Sequence, residues 1–218
     1  MEGNYNCIGD ATHTAANGFI GGGQCNGVFR DLAAVVGGCQ NSAHSCMSFI
    51  GGGGVNNIFI KSDCSFLGGG SLNGIGDSSV SPVNFATESF LGGGSMNCID
   101  AVGANTKFGV IGGGQSNTVC AGTNHSSIFS GKGNTVSGSC SAILGGFNNN
   151  DNGLANVGIF GNNINNPLNM AANTFHVNSL IMQNIPAVNA VTYAPLVSGQ
   201  LYTIIAAPGF TARPVYIK

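Results

Sequence analysis

The residues able to do chemistry are few, and their spacing does not bring them together. Six basic and eight acidic residues make up only 6% of the 218-residue chain. The acidic residues nowhere form a close pair beside an apolar pocket signature, the arrangement with which glycosidases supply an acid and a nucleophile or base. Carboxylates meeting between neighbouring chains would leave that chemistry open. His13, His44 and His125 fall in loops at different distances from the next glycine run, so they do not align into one metal-binding column. Eight cysteines, at 7, 25, 39, 46, 64, 98, 120 and 140, include no Cys-x-x-Cys pair and no histidine at zinc-site spacing. They read as free thiols that act as small apolar packers. Gly131-Lys132 continues with Gly133 instead of Ser or Thr, which excludes a phosphate loop. No catalytic, cofactor-binding or metal-binding residue is therefore assigned, no cofactor is expected, and the chain reads as non-enzymatic.

Composition narrows the class further. Gly numbers 37 where about 7% of an average chain is glycine, charged residues stand at 6% where about 25% is usual, and Trp is absent. A hydrophobic fraction of 43% is too high for a disordered chain, and glycine keeps no three-residue period, so collagen is excluded too. The formal net charge is -2 with scattered basic residues, which gives no patch for a phosphate backbone. Apolar runs are cut by Gly or Asn well before the roughly 20 residues a bilayer requires. The start, Met-Glu-Gly-Asn-Tyr-Asn, lacks the basic and apolar regions of a secretory signal, so synthesis in the cytosol is expected.

The elements that must position these residues come from a repeat. Nine segments share the order small, apolar, apolar, glycine (once serine), as in Gly18-Phe19-Ile20-Gly21, Ser48-Phe49-Ile50-Gly51, Ser65-Phe66-Leu67-Gly68 and Ser89-Phe90-Leu91-Gly92. The apolar residue before the glycines is placed at 20, 36, 50, 67, 91, 111, 129, 144 and 160. An asparagine follows each time: Asn26, Asn41, Asn56, Asn73, Asn97, Asn117, Asn134, Asn149 and Asn165. The unit is a coil of roughly 15 residues with insertions, typical of stacked β-strand repeats. An all-β solenoid, of β-roll or β-helix type, is the expected fold over residues 18–166, with 1–17 as lead-in or cap and 167–218 as a small C-terminal β cap or tip.

Stacking gives each position a role. The apolar pair makes a short strand, the glycines permit positive φ or close backbone approach, and Asn suits the following corner. Repeated at one corner, its amides would form a ladder in which each satisfies the next. Adjacent residues of a strand face opposite ways, so one of each pair enters its own coil and the other needs a partner. Ile50 and Leu91 are expected in a core shared by three chains, with association about a common axis covering an otherwise exposed apolar stripe. Most charged residues, Asp77 and Asp151 among them, fall between motifs, where a solvent face is expected. The longest insertion, 76–88, carries Asp77, Pro82, Phe85 and Glu88; an aromatic beside hydrogen-bonding groups suits stacking on a sugar ring.

The Gly-Gly-Gly-x-x-Asn units resemble those of trimeric tail-fibre and spike proteins of phages and large viruses, and more distantly the β-roll heads of bacterial trimeric autotransporter adhesins. The resemblance implies a homotrimeric structural fibre at the virion surface, joined to other fibre proteins and attaching to a host glycan or receptor. A bacterial surface adhesin head and a polysaccharide-degrading spike are the alternatives it leaves. Beyond Pro167 the triple glycines stop, and strands are expected at 173–181, 201–205 and 215–218, separated by turns at Ser198-Gly199 and Pro208-Gly209.

Overall fold

The computed structural model describes residues 5–11, 14–78, 84–165 and 171–178, and every regular element within them is a strand. The strands stack as a β-solenoid of about nine turns averaging about 17 residues. The shortest coils keep the expected length, since Val35 pairs with Ile50 fifteen residues later, and insertions raise the average. Two parallel sheets wall the coil. Eight strands from Cys7–Ile8 to Thr135–Val136 form the first, and ten from Phe19–Ile20 to Phe175–Val177 form the second. A short third ladder joins Ala86–Thr87 to Thr106–Lys107. Pairing extends beyond 18–166 at both ends, through Cys7–Ile8 on Gly27–Val28 and Phe175–Val177 on Gly158–Asn162. The strands expected at 201–205 and 215–218 lie outside the described residues.

One coil shows the path. Ser42–Ala43 lies in the first sheet, the chain turns through Met47, Phe49–Ile50 crosses to the second sheet, and Gly51, Gly52 and Gly53 carry it round to Asn56. Ile50 and Ile58, the second residues of their strands, are wholly buried and build the core with their counterparts Leu67, Leu91, Ile75 and Ile99. That core belongs to the chain's own coil. Ile50 and Leu91 therefore do not sit in a core shared between chains; it is Phe49, Phe66 and Phe90 that point outward.

The pairing also corrects the repeat register at four coils. Val35, Ile128, Ile143 and Ile159 occupy the inward column, and Val36, Phe129, Leu144 and Phe160 are exposed. Val36, Phe129 and Leu144 replace the first glycine of the triplet, while Phe160 follows a β-bulge opposite Ile143 and Gly145. A one-residue slip reverses every facing in a strand, so these four apolar residues change from core to surface. Two charged residues change the other way. Asp77 and Asp151 are buried, and Asp151 accepts the backbone N–H groups of Ser137, Gly138 and Gly153 at 2.7, 2.9 and 3.1 Å.

Two corners of each coil hold the stack together. Strand amides donate forward, as Phe49 N–H does to Ser65 O at 3.0 Å. Left-handed corner residues donate backward: Met47 N–H to Asp31 O at 3.0 Å and Val55 N–H to Cys39 O at 2.9 Å. Each coil is thereby bonded to both neighbours. The expected asparagine ladder forms. Asn56 Oδ1 accepts the N–H of Asn73 at 3.1 Å and its Nδ2 at 3.1 Å, while Asn56 Nδ2 donates to Gly52 O at 2.9 Å and Gly70 O at 3.0 Å. Asn6 is an additional member, accepting from Asn26 N–H at 3.0 Å. At the far end the backbone N–H of Ile164, and not Asn165, bonds to Asn149 Oδ1 at 3.0 Å.

The third glycine of each triplet is required twice over. Gly53 has φ 83°, and a Cβ there would stand 2.0 Å from Gly70 O and 3.0 Å from Asn56 Nδ2. Gly133 also has positive φ, 65°, but faces open space. Gly53→Ala should destabilise the fold by roughly 3 kcal/mol or more, combining left-handed strain with backbone displacement, whereas Gly133→Asn should stay within about 1 kcal/mol. Chemical denaturation of the two variants checks this; equal midpoints would contradict the close-approach account.

Candidate functional site

The outer faces of the two sheets differ sharply in chemistry. On the first sheet the outward strand positions are Gly27, Ser42, Asn57, Gly74, Cys98, Asp100, Thr118 and Thr135, small or polar, with the Phe29 and Phe59 rings lying over Gly27 and Gly74. On the second they are Phe19, Ala34, Phe49, Phe66, Phe90, Val110, Ser127, Ala142, Gly158 and Phe175, and exposed Val36, Phe129, Leu144 and Phe160 stand two residues after Ala34, Ser127, Ala142 and Gly158. No charged residue stands at these positions of the second sheet. Phe49, Phe66 and Phe90 stack in successive coils with ring centroids 5.2 Å apart and planes within 5°. Stacking covers ring faces but not edges, so Phe66 and Phe90 remain 38% and 43% exposed. Left-handed corners add apolar side chains on both flanks: Leu32, Met47 and Phe108 before the strands, and Val55, Leu72 and Met96 after the glycines. The result is a ridge with stacked Phe rings at its centre, flanked by corners that are apolar at Leu32, Met47, Phe108, Val55, Leu72 and Met96 and polar at others, Glu88, Gln40 and Ser116 among them.

A second feature lies on the wall formed by the insertion. Lys61, Asp63, Phe85, Thr87 and Lys107 line a shallow open groove of about 380 Å³. Thr87 pairs with Lys107 in the short ladder, and Glu88 N–H donates to Asp63 O at 3.0 Å, so Asp63, Thr87 and Lys107 come from three successive coils. Lys107 Nζ lies 5.3 Å from the Phe85 ring centroid. Phe85 thus joins polar groups as the sequence suggests, but the acids expected beside it do not: Asp77 is buried and Glu88 occupies an exposed left-handed corner. Pro82 lies outside the described residues. Lys61 and Lys107 were legible only from register, because Ser65 and Ser89 occupy the same corner and Lys61 and Phe85 each precede them by four residues.

The histidines and cysteines serve elsewhere. His44 stacks on Phe29 with centroids 4.4 Å apart, and His125 on Phe108 at 4.8 Å; His13 lies outside the described residues. Among the described residues no three His, Cys, Asp or Glu side chains gather as a metal site. All eight cysteines are free, and Cys7, Cys39, Cys64 and Cys140 are exposed instead of filling the core, because they fall at corners and edges. Burial, helped by Asp100 and Cys120, pushes the Cys98 thiol up to about 11, which keeps it protonated and unreactive near neutrality. Comparison with protein-family models, with curated proteins and with solved structures finds no match for this chain.

Burial against Phe29, reinforced by Arg30 and opposed by Asp10, holds the His44 imidazole below its ordinary value. A lowered folded value favours the neutral ring, so its contribution to stability is present above the unfolded value of about 6.5 and is lost as pH falls through that range. His44→Phe keeps an aromatic stack without a titrating group. Its melting temperature should fall less between pH 7 and pH 5 than that of the unaltered protein; parallel pH profiles would contradict the assignment.

Proposed function

We propose that this chain is a rod segment of a homotrimeric fibre or spike of the kind viruses and phages carry, a structural attachment protein and not a catalyst. The observation that carries the reading is the apolar ridge along the second sheet, with partly apolar corners on both flanks. Apolar surface this extended is costly to leave in water. Its partner must be as long and must repeat at the coil spacing, and a second copy of the chain meets both conditions. Two such flanks favour three copies: with each ridge on a common axis, one flank of each chain faces each of its two neighbours. A two-chain sandwich would bury the ridge and leave the apolar corners wet.

In such an assembly the first sheet and the insertion wall face outward, and most of the scarce charges with them, while Glu88 sits at a corner beside the ridge. The walls act as scaffold, and recognition of a host-surface glycan or receptor falls to insertions, which vary without disturbing the ladder. The resemblance of the Gly-Gly-Gly-x-x-Asn units to fibre and spike proteins supports the same setting, in which other fibre proteins join the segment at the virion surface.

Phe66→Asp and Phe90→Asp test the reading, because both side chains project outward and neither builds the core. Each variant should keep the circular dichroism spectrum of the parent and lose assembly, since an unpaired buried charge at an interface costs several kcal/mol, on the order of 3 or more. Thr118→Asp, on the outward face of the first sheet, should assemble normally. If gel filtration finds the Phe variants assembled like the parent, the second sheet is not the contact surface and the reading fails.

A further inference from the structure

We propose that the groove around Phe85 binds a carboxylate-bearing pyranose, such as a sialic or uronic acid residue of a surface glycan. This rests on the attachment reading and names the chemistry of its contact.

Five side chains of four complementary kinds converge there. Phe85 presents a half-buried ring whose remaining surface matches the C–H face of a sugar. Lys61 and Lys107 stand on coils to either side of it, and both are exposed. Asp63 spends Oδ1 on the N–H of Cys46 at 2.9 Å, which orients the carboxylate and leaves Oδ2 to accept a sugar hydroxyl. Thr87 adds a hydroxyl that both donates and accepts.

Competing ligands fit less well. A neutral hexose would use Phe85 and Asp63 but leave both ammonium groups unengaged. A compact inorganic anion would use the lysines and leave the aromatic face unused. An acidic pyranose engages all of them at once. The volume, about 380 Å³, lies at the small end of the roughly 300–1,000 Å³ typical of ligand sites. An open groove of this size binds weakly by itself, and three copies on one fibre would multiply the avidity.

The test is a saturation-transfer and chemical-shift titration of the full-length protein with 3′-sialyllactose, glucuronic acid and, as the neutral control, lactose. Both acidic probes should bind, lactose should bind about tenfold more weakly or not at all, and 0.5 M salt should weaken only the acidic probes. Lys61→Gln and Lys107→Gln should each weaken the acidic probes about tenfold, and Phe85→Ala should remove binding of all sugars. Lys132→Gln, a lysine on another wall, should change nothing. Melting temperature and oligomeric mass recorded on each variant separate a lost contact from a lost fold. Absence of acidic-sugar binding by an intact assembly, equal binding of lactose, or binding unchanged by the three groove substitutions would each overturn the proposal while leaving the assembly reading in place.

Discussion

The structure depends on one recurring contact, the buried asparagine amide lodged between coils against a glycine that has no room for a Cβ. A solenoid has to turn its backbone at every corner, and there the strand ladder runs out of partners. The asparagine carboxamide takes the place of a peptide group. Asn41, for example, accepts from the next coil through Oδ1 and donates to Gly37 O and Gly53 O at 2.9 and 3.0 Å. Buried amides without partners would cost about 1–3 kcal/mol each, and eight consecutive coils satisfy them by the same means. The glycine is the complement of that amide: Gly38 must approach Gly53 O so closely that a Cβ would stand 2.1 Å away. Coil spacing, strand register and the inward column all follow from this corner.

Its consequence is that the sequence elsewhere is released from specifying the fold. Strands only two residues long need just one core residue each, and the other position is free to serve the outside. Left-handed corners outside glycine, each costing about 1–2 kcal/mol for an ordinary residue, are offset by the backward hydrogen bonds they make and carry side chains as bulky as Leu32, Met47 and Phe108. That tolerance lets apolar side chains gather along the second sheet while most outward strand positions of the first stay small or polar. Insertions of up to nine residues over the shortest coil then add a wall bearing Lys61, Phe85 and Lys107 without altering the stack.

Much of the fold was legible because its constraint is written in residue types. Asparagine recurring at a fixed distance after a glycine run marks a stacked corner, and the pairs Phe49–Ile50 and Phe90–Leu91 announce a strand with two opposed faces. The register was harder. Where Val36, Phe129 or Leu144 replaces the first glycine, three residues in a row are apolar or small, and periodicity alone does not say which faces inward; the column defined by Gly38, Gly131 and Gly146 does, since the inward residue always lies three before it. The left-handed corners carry no residue-type signature at Leu72 or Phe108, because their conformation is imposed by the coils on either side. Asp151 read as a solvated loop charge for a similar reason: only its position two after Asn149, where other coils place Val or Ile, marks it as facing inward. The groove escaped notice because its members are separated by insertions, which hide spatial neighbours until register is known.

The proposed assembly places the ridge of the second sheet on an axis shared by three chains. The most direct measurement is the mass of the unaltered protein by sedimentation equilibrium across micromolar concentrations. A single species of three times the chain mass that persists on dilution is expected. A monomer, or a dimer in reversible exchange with monomer, would contradict it.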